Sequence, residues 1–191
     1  MCKSISRALA SLVLVVCALP ASAATLNYSL GTGNGIQHGS GPGNVYEFVD
    51  QALNLNVSAW ANLGSDLLQV STVTQFAGGL GACNPGEGSR AECLDRPRRY
   101  QVDNVGEGEQ DWLLFFLPES VNFDEVVLST LGLQDRDVTY WIGDLSLPAD
   151  LAGAELGDLF ALGMGNATTL FNSAGAGLFS IDLGGQTGNA L

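Results

Sequence analysis

The chain has 191 residues and a formal net charge of −13, with 14% charged residues, 46% hydrophobic residues and 25 glycines. That hydrophobic content excludes a disordered chain, and the negative charge excludes nucleic acid and anionic lipid as natural partners. Low charge, much glycine and many short apolar runs point to an exported all-β protein with tight turns.

The first 23 residues form a unit of their own. Lys3 and Arg7 make a short basic start, Ala8 to Leu19 is apolar but too short to settle across a bilayer, and Pro20 breaks it. Ala21-Ser22-Ala23 then gives a small-x-small cleavage pattern. Residues 1–23 therefore read as a secretory signal peptide cut before Ala24, which directs the protein through the Sec pathway to the surface or the medium. The mature part, 24–191, is long enough for one domain with a real core. It keeps all 20 acids, no lysine and five arginines, for a net charge of −15. No apolar run of membrane-spanning length follows residue 23.

Of the four cysteines, Cys2 and Cys17 leave with the signal peptide. Cys83 and Cys93 stand in a glycine-rich stretch, and in an oxidising compartment they are expected to pair. Such a short loop contributes about 2–3 kcal/mol when closed. Two cysteines and one histidine, His38, do not fill a zinc site.

In chain order, strands are expected over Ala24 to Leu30, Asn44 to Val49, Leu53 to Trp60 and Leu67 to Phe76, the last with alternating Val70, Thr72, Thr74 and Phe76. Gly78 to Arg99 reads as a long loop, and Tyr100 to Val102 as a short strand. Asp103 to Asp111 is expected to turn. Trp112 to Leu117 is a continuous apolar run between Asp111 and Pro118, which suits a strand buried on both faces. Asn122 to Leu131 and Val138 to Ile142 follow as strands. Leu151 to Leu162 allows a short helix, and Thr168 to Phe171 and Leu178 to Leu183 read as late strands. Ala190-Leu191 closes the sequence without a turn or polar tail, as if inside a strand. The expected fold is an all-β antiparallel sandwich, jelly-roll-like, with room for one short helix.

Three kinds of chemistry deserve weighing. Asp103, Asn104, Glu107, Glu109 and Asp111 crowd a loop that Gly106 and Gly108 let curl, and oxygen donors in a flexible loop suit calcium. Asp135 and Asp137 form a second acidic corner, and neighbouring strands would let Asp103, Asn104, Asp111, Asp135 and Asp137 share one structural ion. The competing reading is a pair of solvated turns, and the spacing is not that of an EF-hand. Trp60, Trp112, Trp141, Tyr100 and Tyr140 offer stacking faces for a sugar, against the more ordinary role of core aromatics. A glycan hydrolase would need two facing carboxylates, which twenty acids supply by chance. Serine-nucleophile chemistry has only His38 and no Gly-x-Ser-x-Gly elbow.

Several elements recur in a familiar order. Phe76-Ala77-Gly78-Gly79-Leu80-Gly81 is followed by the cysteine pair, Gln101-Val102-Asp103-Asn104-x-Gly106, the strand Asp111-Trp112-Leu113-Leu114-Phe115-Phe116, then Val126-Val127-Leu128, Asp135-Arg136-Asp137-Val138 and Ile142-Gly143. Over about residues 70–145 this resembles exported bacterial proteins of the PEP-CTERM, exosortase-sorted type. The resemblance implies a β-sandwich surface or matrix protein of an exopolysaccharide-making Gram-negative bacterium, without an enzymatic role. The Pro-Glu-Pro motif, apolar helix and terminal arginines of that family's tail do not occur in this sequence. The leading expectation is a non-enzymatic matrix or surface protein in contact with extracellular polysaccharide, with calcium as a structural ion. A carbohydrate-binding module is the alternative, and a glycan hydrolase the third.

Overall fold

A computed structural model describes residues 25–31, 33–37, 45–49, 52–87, 92, 102, 109–134, 137–146, 150–172 and 174–191. Among the described residues the strands are all paired antiparallel, in stacked layers, with a short helical segment. The main sheet runs in the order β1 (Ile36–Gln37), β2 (Tyr46–Phe48), β3 (Leu55–Leu63), β7 (Glu109–Gln134) and β10 (Gly175–Ala190), with β4 (Leu68–Val70) on β3. Two two-stranded sheets complete the layers: the hairpin of β5 (Thr72–Phe76) with β6 (Gly79–Cys83), and β8 (Val138–Tyr140) paired with β9 (Thr168–Leu170) across a long connection.

The 26-residue β7 organises everything else. Its first part pairs with β3, from Leu63 opposite Glu109 to Asn56 opposite Phe116. Its second part pairs with β10, from Phe116 to Gln134. The sequence splits this strand at Pro118, yet the chain runs straight through. Between Phe116 and Val121 the partner strand advances only from Ala190 to Gly188, so Pro118 falls in a bulge where no ladder hydrogen bond is required of it.

Pairing β3 with β7 places two sets of side chains on opposite faces. On one face Val57, Ala59 and Leu117 join Phe48, Val73 and Ala82 in one buried cluster. On the other, Trp60, Leu114 and Phe116 join Leu145, Leu151, Leu159 and Met164. A third cluster under the β7–β10 arm is built on Ile142, Ile181 and Leu183. The apolar run Trp112 to Leu117 thus lies between two cores, as its composition predicts.

Other expectations shift. Residues 25–30 form no ladder; the Tyr28 hydroxyl instead donates to the Leu53 carbonyl, and Leu30 packs against the cluster of Phe48 and Val57. The stretch Leu67 to Phe76 breaks at Ser71, whose N–H donates to Ala59 and whose hydroxyl donates to the Cys83 carbonyl. Ser71 thereby hands the chain from the main sheet to the β5–β6 hairpin. Part of the expected loop Gly78 to Arg99 is β6, closed on β5 through Ala77-Gly78. Of the expected strand Tyr100 to Val102, only Val102 is described, and it is not in a strand.

The expected helix over Leu151 to Leu162 shrinks to a 3-10 turn, Leu156–Asp158, and α1, Leu159–Leu162. The preceding residues bond elsewhere: Gly153 donates to Leu68 and Leu68 to Ala154, with Gly153 at φ 79°. Such an angle suits glycine and does not continue a right-handed helix.

Candidate functional site

All three tryptophans of the chain meet at one place. Trp60 on β3 lies directly opposite Trp112 on β7. Trp141, just after β8, meets Trp112 edge to face, with ring centroids 5.1 Å apart at 63°. Together with Leu68, Leu151 and Met164 they line a cleft of about 50 Å³. Trp60 is only 1% exposed, whereas Trp112 and Trp141 are half-buried. Those two are the members of the trio that solvent reaches.

The two indole N–H groups on the sheet are each bonded to a side chain of β3. Trp60 Nε1 donates to Ser58 Oγ at 2.9 Å, and Trp112 Nε1 to Asn62 Oδ1 at 3.4 Å. Ser58 and Asn62 alternate with Trp60 along β3, so period two puts all three on one face. Among the described residues of the lining there is no titratable side chain. The volume is far below the roughly 300–1,000 Å³ of small-molecule sites.

Of the expected acidic site, two residues are described. Asp103, Asn104 and Asp135 lie outside the described residues, as do Cys93, His38 and Tyr100. Asp111 is on β7, 5% exposed, and its Oδ1 accepts a hydrogen bond from Asn84 Nδ2 at 3.1 Å. Asp137 is exposed beyond the far end of β7, and its Oδ1 accepts from the Asn172 N–H at 2.8 Å. Asp111 thus lies near the start of β7 and Asp137 just past its end. At about 3.3 Å per residue those two residues are on the order of tens of ångströms apart. Among the described residues no three His, Cys, Asp or Glu side chains gather as a metal-binding group.

What Asp111 does instead is anchor a loop. Asn84 follows β6, and its Oδ1 accepts the N–H groups of Gly86 and Glu87 while its own N–H donates to Glu87 Oε2. This is the reciprocal arrangement of a capping box. Asn84 Nδ2 then ties that turn to Asp111, so both ends of the β6–β7 connection are pinned together. Cys83, 3% exposed beside Asn84, is disulfide-bonded.

A second polar clamp escaped sequence reasoning. Asn189 accepts the Leu145 N–H at 2.7 Å and donates to the Leu145 carbonyl at 2.8 Å, within the buried interior. Its side chain acts as one more rung of β ladder between β10 and the segment after Trp141. Beside it Gly143 donates to Ala190 and accepts from Asn189 and Ala190. A Cβ on Gly143 would stand 2.2 Å from the Gly163 carbonyl oxygen, so only glycine fits this crossing. Asn84 carried a readable signal, since an Asn three residues before a Glu is capping-box spacing. Asn189 carried none.

No family model, no curated protein and no solved structure matches the chain.

Proposed function

We propose that this chain is a non-enzymatic, exported surface or matrix protein of the PEP-CTERM type, a β scaffold that works by its surface. The observation that carries this reading is how the buried polar side chains are used. Asn62, Ser71, Asn84, Asp111 and Asn189 each bond to another part of the fold, Ser58 accepts from Trp60 on its own strand, and Thr74 Oγ1 alone of the buried hydroxyls has no partner among the described residues. None of them lines the apolar cleft. Enzymes hold polar groups in reserve, aimed at a reacting atom; this interior spends most of them on joining segments of the chain. The signal-peptide pattern of residues 1–23 supplies export, and a Cys83–Cys93 bridge belongs with an oxidising compartment.

The test is expression of the whole chain in a Gram-negative host, followed by fractionation and intact-mass measurement. The expected product lies outside the cytoplasm, begins at Ala24 and carries one disulfide. A full-length cytoplasmic product would overturn the reading.

A carbohydrate-binding role is the second reading, favoured by the partial exposure of Trp112 and Trp141. Titration of the intrinsic fluorescence with neutral and acidic polysaccharides decides it. Saturable quenching that Trp141→Ala removes would support a glycan contact at this spot, and flat titrations would leave the cluster as core.

A further inference from the structure

The solvent face of the β7–β10 arm breaks two rules of sheet design at once. In register, Glu125 stands directly opposite Asp182, Val127 opposite Ser180, and Ser129 opposite Leu178. All six side chains are exposed, Val127 at 54% and Leu178 at 72%. The reverse face of the same ladder, with Val126, Leu128, Phe179 and Ile181, packs into the third cluster. So the outer face belongs to a seated, layered part of the sheet.

Like charges directly across an antiparallel pair repel and destabilise it. Glu125 and Asp182 are such a pair. Asp182 Oδ1 accepts the Gly184 N–H at 2.8 Å, which fixes its position next to the bulge. Among the described residues there is no lysine, arginine or histidine to offset the two carboxylates. Next to them, two large aliphatic side chains face water. Local rules broken together on one face are expected where a surface meets a ligand.

Charge selects the occupant. With a mature net charge of −15, a second copy of this chain is repelled, and so is any polyanion. The complement carries positive charge alternating with apolar groups. Along an extended chain, side chains two apart share a face at about 6.6–6.8 Å, which is the step from Glu125 to Val127 along β7. We propose that this face docks an extended, basic, amphipathic polypeptide segment. Its cationic groups meet Glu125 and Asp182, where charge-assisted hydrogen bonds to carboxylates are available, and its apolar side chains cover Val127 and Leu178. The inference stands on the arm alone and does not depend on the function proposed above.

The experiment uses the mature chain, residues 24–191, and a fluorescent hexapeptide of alternating Arg and Val, read by anisotropy. Saturable, salt-sensitive binding is expected, with an Arg/Ser hexapeptide about fivefold weaker or worse and a Glu/Val hexapeptide silent. Glu125→Gln combined with Asp182→Asn is expected to weaken binding about tenfold while leaving the melting temperature unchanged or raised, because a like-charge pair is removed. Should that variant melt early, Val127→Ser with Leu178→Ser decides in its place by the same loss. Asp66→Asn with Asp150→Asn makes the same charge change elsewhere and is expected to leave binding within about twofold. Equal weakening by the Asp66 and Asp150 pair, or equal binding of the Arg/Ser peptide, would overturn the proposal in favour of unspecific attraction to an acidic surface. Absence of Arg/Val binding would overturn it outright.

Discussion

The two halves of β7 belong to one strand and live in different surroundings. From Trp112 to Leu117 the chain lies between two clusters, and consecutive residues feed alternate cores. From Val121 to Thr130 it has one packed face and one wet face, with Val126 and Leu128 inside and Glu125, Val127 and Ser129 outside. The sequence changes accordingly, from an unbroken apolar run to an interrupted one. Burial on a second face, more than strand pairing itself, separates a structural centre from a surface that is free to carry function.

The comparison breaks first at its centre. Trp60→Ala removes a side chain 1% exposed against Trp112, and is expected to cost about 3–5 kcal/mol in urea unfolding. A loss below about 1 kcal/mol would show that the inner half is no core at all. The junction between halves comes next. Asn189→Ala orphans the buried N–H and carbonyl of Leu145 and is expected to cost about 2–4 kcal/mol by the same measurement. Gly143→Ala forces a methyl group against the Gly163 carbonyl and is expected to cost about 1–3 kcal/mol.

Asp111→Ala sharpens the comparison at the entry to the inner half. It strands the buried Asn84 amide, for about 1–3 kcal/mol, and the loss is expected to be equal in calcium and in chelator. A calcium-dependent rise in the melting temperature of the parent, absent from the variant, would move Asp111 from loop anchor to ion ligand. The smallest effect falls on the outer half: Val127→Ser is expected to change stability by less than about 0.5 kcal/mol. Amide exchange draws the same line without mutation, with residues 112–117 exchanging only on global opening and residues 124–130 sooner.

Fold class was legible because it depends on pattern. The run Trp112 to Leu117 named its own double burial, and the alternation from Val70 to Phe76 named β5. Continuity across Pro118 was illegible, because it depends on β10, some seventy residues later, offering a bulge at that point. The same is true of Ser71, whose partners are Ala59 and Cys83. Of the expected five-oxygen site, Asp103, Asn104 and Asp135 lie outside the described residues, and the two that are described, Asp111 and Asp137, sit near opposite ends of one strand that the sequence reads as two. Asn84 was within reach of sequence logic, and Asn189 was not, since nothing local distinguishes it from the glycine- and asparagine-rich surroundings.

The bulge at Pro118 also acts as a clutch. On its inner side register is set by the Trp60–Trp112 pairing, and on its outer side by the Asp182–Glu125 pairing, with a further shift at Gly184-Gly185. Slack in between means that neither register transmits to the other. Residues added or lost in matched pairs at the tip of the arm would keep inward and outward faces in phase and leave the tryptophan centre untouched. A chain built this way can vary the length and chemistry of its projecting surface through descent while its interior stays constant.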